Sequence, residues 1–148
     1  MTEPRAERWA GYRTAVVRIE TPEVVVVEPR PAGEVDGRFP FAPGTVVHVI
    51  TAYDSDDLAA PANRERDARL KAAIEELGAS WLPTRGSDRD GAHVEPGVAA
   101  LGLGDARAIE LGRRFDQDAI YRWTAAAWEL VDCATGDAEA FGWTRAVD

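Results

Sequence analysis

The sequence holds little of what most catalytic and metal centres are built from. Of 148 residues one is cysteine, Cys133, and two are histidine, His48 and His93. An internal disulfide is therefore impossible, and a zinc site of the usual Cys/His type is poorly supplied. No metal and no cofactor are expected, and Cys133 reads as a buried or half-buried thiol. No run approaches the roughly 18 to 20 consecutive apolar residues of a membrane span, and the start MTEPRAERWAG lacks the apolar block of a secretory signal, so a cytoplasmic protein without membrane contact is expected. Lysine occurs once, at Lys71, and the formal charge is −9. That balance excludes a general nucleic-acid binder, because phosphate recognition needs clustered positive charge. The phosphate-cradling loop, the dinucleotide glycine fingerprint and the nucleophile elbow are all absent. The acidic run Asp54, Asp56, Asp57 begins like a calcium loop but lacks the glycine and glutamate that would complete one.

What is present suits a single domain spanning residues 1–148, since 45% hydrophobic residues are enough for one core. Residues 1 to 12, with Trp9 and Tyr12, fit a short helix or an arm. The β-branched runs YRTAVVRIE and EVVVVEP, parted by Thr21 and Pro22, predict a hairpin. Arg30 to Gly44 is rich in proline and glycine and predicts a loop pinned by Phe39 and Phe41. From Thr45 the pattern is regular: TVVHVITAY as a buried strand, ANRERDARLKAAIEELG as a helix ended by Gly78, ASWLPTR as a strand, a buried strand from Val98 to Leu103 with Pro96 at its entrance, DARAIELGRRF as a helix, and QDAIYRWT and AAWELVDC as two more strands. The tail carries Phe141 and Trp143 as anchors. The order strand, helix, strand, strand, helix, strand from Thr45 to Trp123 predicts an α+β fold with a ferredoxin-like split βαβ core, extended by the N-terminal hairpin and the C-terminal strand at Trp128.

Several polar residues stand where a site could form. Asn63 begins the helical stripe continued by Arg66, Leu70, Ile74 and Leu77, so its amide faces inward and must cap, fix a loop or meet a ligand. Thr51 and Tyr53 leave their strand beside that helix start, an end that favours anions. Glu95, between Val94 and Pro96, can be drawn inward and have its acidity changed; His93 points to the same side on an extended chain. Gln117 lies between a helix end and a strand start, while Tyr121 and Trp123 read as core aromatics.

The stretches VITAYDSDDLAAPANRERDARLKAAIEELG, HVEPGVAALGL and RRFDQDAIYRW together resemble a bacterial family known as domain of unknown function 3293, over a family-like core of about residues 45–123. The resemblance rests on the Thr-Ala-aromatic strand end, the spacing from Asn63 to Leu70, the Glu-Pro step and the Phe-x-Gln-x-Ala-Ile step. This chain departs from the family pattern at Gly97, where a serine is common, and at His93, where a tryptophan is. The resemblance implies a stand-alone cytoplasmic protein and brings no activity.

Two functions follow as expectations. In the first, Thr51, Tyr53, Asn63, Arg66, Glu95 and Gln117 converge at one sheet edge to bind a small polar or nucleotide-like ligand, with Arg66 as an anion clamp; a catalytic role, if the chain has one, falls to Glu95 as general acid or base. In the second, the acidic surface and the loop Asp54 to Asp57 recognise a basic protein partner without chemistry.

Overall fold

The computed structural model describes residues 5–146. A helix, α1 (Arg5–Thr14), leads into β1 (Val16–Glu20) and β2 (Val24–Arg30), and a two-residue strand β3 (Val35–Asp36) interrupts the proline- and glycine-rich loop. Then come β4 (Val47–Ile50), α2 (Ala62–Glu76), β5 (Ser80–Ser87), β6 (Glu95–Leu101), α3 (Asp105–Arg114), β7 (Ala119–Trp123), β8 (Trp128–Asp132) and β9 (Ala138–Ala146). The predicted hairpin is β1 and β2, with Ile19 opposite Val25 and Val17 opposite Val27. β6 begins at Glu95, ahead of the expected Val98, so Pro96 is its second residue, opposite Arg85 of β5.

The strands follow the order β2-β1-β5-β6-β4-β7-β8-β9, and β9 pairs back onto β2. All of these pairings are antiparallel; β3 adds a short parallel pairing to β9. The result is a closed eight-stranded barrel. This overturns the expected ferredoxin-like α+β sheet, which would be open and covered by helices on one face. The hairpin and the C-terminal strand do not merely extend a sheet: β1 joins β5, β8 joins β7, and β9, which the sequence pattern left as an anchored tail, joins both ends. Within the wall, β4 is flanked by β6 and β7, both antiparallel to it.

Closure explains the burial pattern. A small barrel must fill its interior with side chains, and alternate residues of each strand point there. The inward set includes Val17, Ile19, Val25, Val27, Val47, Val49, Ala99, Trp123, Trp128 and Trp143. The outward apolar set, Ile50, Val98, Ala100 and Ile120, packs under Leu70 and Ile74 of α2 and Leu111 of α3. Each such aliphatic side chain, fully buried, contributes roughly 1.5–3 kcal/mol. The strands β4 and β6 are thus buried on both faces, which is why they read as continuous apolar runs rather than alternations. His48, on the outer face of β4, is buried and lies 2.8 Å from Asp105 at the start of α3, and Arg122 of β7 reaches the same carboxylate at 3.2 Å.

The two ends of the barrel differ. One is solid: Trp123 meets Phe39, Phe41, Trp128 and Trp143 with ring centroids 4.9, 6.0, 6.1 and 5.2 Å away, mostly edge to face. The other is crossed by α1, none of whose residues is fully buried. That helix is fastened by polar contacts: Arg5 to Asp132, Arg8 to Asp118 and Arg13 to Glu139 at 2.7, 2.6 and 3.0 Å, with the Tyr12 hydroxyl donating to Asp118 at 2.9 Å. None of the described helices is long and apolar enough to cross a membrane.

Candidate functional site

Beneath α1 the barrel interior is not filled. A cavity of about 410 Å³ opens there, walled by Val17 of β1, Val49 of β4, Thr84 of β5, Glu95 and Gly97 of β6, and Ala119 and Tyr121 of β7. Thr51, just past β4, and Gln117, just before β7, complete the wall; Arg8 and Tyr12 of α1 and the loop residues Ser55, Asp56 and Leu58 form the rim. Gly97 is part of how the space stays open, because a β-carbon there would lie 2.7 Å from the Ile50 carbonyl oxygen and 3.1 Å from the Thr84 hydroxyl.

Glu95 is the one carboxylate set into the strand wall of this cavity. Its register places it opposite Gly86, which has no side chain to meet it, and its Oε1 is buried with no hydrogen-bond partner among the described residues. Burial pushes the carboxyl up from its usual 4.5 to about 7; the Thr51 hydroxyl nearby works against that rise and the Asp54 charge adds to it. Tyr12 and Tyr121 face the same space. Burial raises both phenols well above their usual range, and for Tyr12 the hydrogen bond to Asp118 adds to the rise, so both stay protonated. Tyr121 donates to the backbone carbonyl of Tyr12 at 2.7 Å, which ties the roof helix to the floor. Asp118 sits just outside: burial pulls its carboxyl up, but hydrogen bonds from Arg8 and Tyr12 outweigh that and hold it below the usual range.

Of the residues predicted to converge, the structure brings Thr51, Glu95 and Gln117 onto one cavity, and it separates Asn63, Arg66 and Tyr53 from it. Thr51 donates to the Pro96 carbonyl at 2.9 Å and accepts the Tyr53 amide at 3.1 Å, stitching the end of β4 to β6 beside Glu95. Gln117 donates to the carbonyls of Tyr53 and Phe115 at 3.1 and 3.0 Å, so Tyr53 takes part through its backbone. Asn63 is buried inside the acidic loop: its Oδ1 accepts the Asp54 amide at 2.8 Å and its Nδ2 donates to the Asp57 carbonyl at 2.9 Å. It shapes the loop that forms the rim and does not cap α2, whose cap position is Pro61.

Arg66 has a different task from the one its position suggested. Its guanidinium donates to the carbonyls of Ala52 and Phe115, with Asp116 3.6 Å away, joining the end of β4 to the end of α3. Arg66→Met, which keeps the apolar stem, should lower the urea midpoint by an amount equivalent to about 1–3 kcal/mol, the cost of orphaning a buried carbonyl. A loss below about 0.5 kcal/mol would mean that these bonds contribute nothing net.

The expected site was placed at a sheet edge, and a closed barrel has no such edge; the convergence happens inside the mouth instead. What sequence reasoning missed is the lid and the floor, Tyr12 from α1 and Thr84 and Tyr121 from the wall. The alternation of Ala119, Tyr121 and Trp123 was visible, but it could not say that Tyr121 faces a space while Trp123, two residues on, fills one. His93 lines the rim near Glu95, yet with φ 53° it lies outside the extended strand that had aligned the pair. Among the described residues no three His, Cys, Asp or Glu side chains group in a way that could hold a metal ion. Cys133 is buried, and burial lifts its thiol to about 11, which leaves it unreactive at neutral pH.

Residues 50–120 match the family described as "Protein of unknown function (DUF3293)". The matched segment holds Thr51, Glu95 and Gln117, whereas α1, β1, β2, β8 and β9 lie outside it. No curated protein and no solved structure matches the chain.

Proposed function

We propose, for a chain that belongs to the DUF3293 family through residues 50–120, that the unfilled end of the barrel binds a small polar organic molecule, with Glu95 as the group that exchanges a proton with it. The observation that carries this reading is the Glu95 carboxyl in the wall of a cavity of about 410 Å³, with its Oε1 buried and, among the described residues, without a partner. A buried polar atom left unsatisfied costs about 1–3 kcal/mol, a cost that a hydrogen-bond donor on a ligand at this carboxyl would relieve. The volume lies in the range of about 300–1,000 Å³ typical of small-molecule sites, and the wall mixes apolar side chains with a few fixed polar groups, as such sites do. A nucleotide-like anion fits poorly, because Arg66 is turned to backbone carbonyls and Arg8, at the rim, is engaged by Asp118.

The test is a screen of small neutral, cationic and anionic compounds by thermal stabilisation, with hits mapped by amide chemical shifts. A ligand at a hundredfold excess over its Kd adds about 2.7 kcal/mol to the folded state. Shifts should centre on Thr51, Gly97 and Ala119, and Ala119→Phe, which fills the cavity from β7, should erase the stabilisation while the barrel stays folded. Hits that map elsewhere, or that survive the filled cavity, refute the site.

A further inference from the structure

Resting on that reading of the cavity, we infer that its ligand is a small organic amine whose protonated nitrogen is held by the Glu95 carboxylate. The Thr51 hydroxyl gives its one proton to the Pro96 carbonyl, Tyr12 gives its proton to Asp118, and Tyr121 gives its proton to the Tyr12 carbonyl. Gln117 spends its amide protons on Tyr53 and Phe115, and Ser87 donates to the Asp88 carbonyl. These five side chains thus direct their donors into the protein, while Ser55, Thr84 and His93 also line the cavity and can donate. A ligand that meets the ionised Glu95 carboxylate brings the proton for that contact itself.

Charge points the same way. The rim carries Glu7, Asp56 and Asp88, and Arg8, the guanidinium beside them, lies 2.6 Å from the Asp118 carboxylate. The cavity therefore presents a negative mouth and a single carboxylate inside, an arrangement that concentrates cations and repels carboxylates and phosphates. An ammonium donates three hydrogen bonds and matches one carboxylate charge, and in a site shielded from water the pair is stronger than at the surface. The apolar walls from Val17, Val49 and Leu130 leave room for the carbon part.

Two matched probe sets test this on the full chain: benzylamine, benzyl alcohol and benzoate, and cyclohexylamine, cyclohexanol and cyclohexanecarboxylate. By calorimetry at pH 8 the amines should bind at least tenfold more tightly than the alcohols, the acids should not bind, and Glu95→Gln should weaken the amines at least tenfold while leaving the alcohols unchanged. The preference for amines should fade as the pH falls through about 7, where Glu95 takes up its proton. The titratable groups around Glu95 are Tyr12 on α1, Tyr121 on β7, Asp54 in the loop after β4 and His93 before its own strand. The pH series is repeated on His93→Gln, which removes this imidazole from the rim, and there the fade should persist. Alcohols that bind as well as the amines, or amines indifferent to Glu95→Gln, overturn the amine and leave the binding site standing. Alcohols and amines that all fail to shift the amides of Thr51, Gly97 and Ala119 overturn the site itself.

Discussion

Glu95→Gln should raise the melting temperature at pH 8 by about 5–10 °C and leave it unchanged at pH 4, given that about 1 kcal/mol corresponds to 2–4 °C in a domain of this size. The folded protein holds this carboxyl at about 7, against 4.5 for an unhindered one. Between those values the folded state keeps a proton that the unfolded state has released, so stability falls as the pH rises through that interval. Below about pH 4.5 both states are protonated and there is no penalty; above pH 7 the penalty is complete, at about 3 kcal/mol for a shift of this size. Glutamine has nearly the same shape and never ionises, so the substitution removes the penalty only where it exists. Paired thermal melts across pH 4 to 8 measure the difference. Curves that run parallel over the whole range would mean that the ionised carboxylate is compensated inside the barrel, and the case for a ligand that relieves it would go with them.

Gly142→Ala should destabilise the barrel by about 3 kcal/mol or more, at the upper end of what overpacking costs. A β-carbon at Gly142 would stand 1.9 Å from the Glu34 carbonyl oxygen and 2.7 Å from that of Pro31, and both obstacles are backbone. At this residue β9 changes partners. Ala138 to Phe141 pair with β8, and from Gly142 onward the strand pairs with β2 and β3. The Gly142 and Trp143 amides donate to Pro31 and Glu34 at 3.2 and 2.9 Å, so the approach that excludes a side chain lies at the end of the β2–β9 seam that closes the barrel. Gly136→Ala is the internal control: with φ 80° and nothing within 4 Å of a β-carbon, it carries only the backbone strain of a left-handed residue, roughly 1–2 kcal/mol. Urea unfolding should separate the two. Equal losses would show that the close approach at Gly142 relaxes easily and that closure does not depend on it.

Local order was legible where periodicity and composition act through neighbours in the chain. The hairpin of β1 and β2, the buried strands β4 and β6, the helices α2 and α3 and the strands β7 and β8 all follow from runs of apolar residues and their breaks. At the entrance of an apolar strand Glu95 could turn inward or stay exposed, and the local pattern did not choose between the two. The segment AEAFGWTRA was harder, because Gly142 and small residues weaken its strand character, and its alternation of Phe141, Trp143 and Arg145 looks like an anchored tail until a second strand lies beside it. Arg66 misled because an arginine near a helix start suggests an anion, while only the fold brings the Ala52 and Phe115 carbonyls to it.

By itself the sequence determined the acidic charge, the scarcity of metal-ligating side chains, most of the strands and helices, and that Thr51, Glu95 and Gln117 would be placed at strand ends. Only the tertiary structure decided that the sheet closes. Pairing between β9 and β2 joins residues more than a hundred positions apart, and its stability comes from hydrogen bonds and aromatic packing that no local pattern encodes. Closure in turn decided the site. It gave the barrel an inside, filled one end with tryptophans, and left the other end open around a carboxylate, because which side chains fill an interior depends on the sizes of partners drawn from every strand at once.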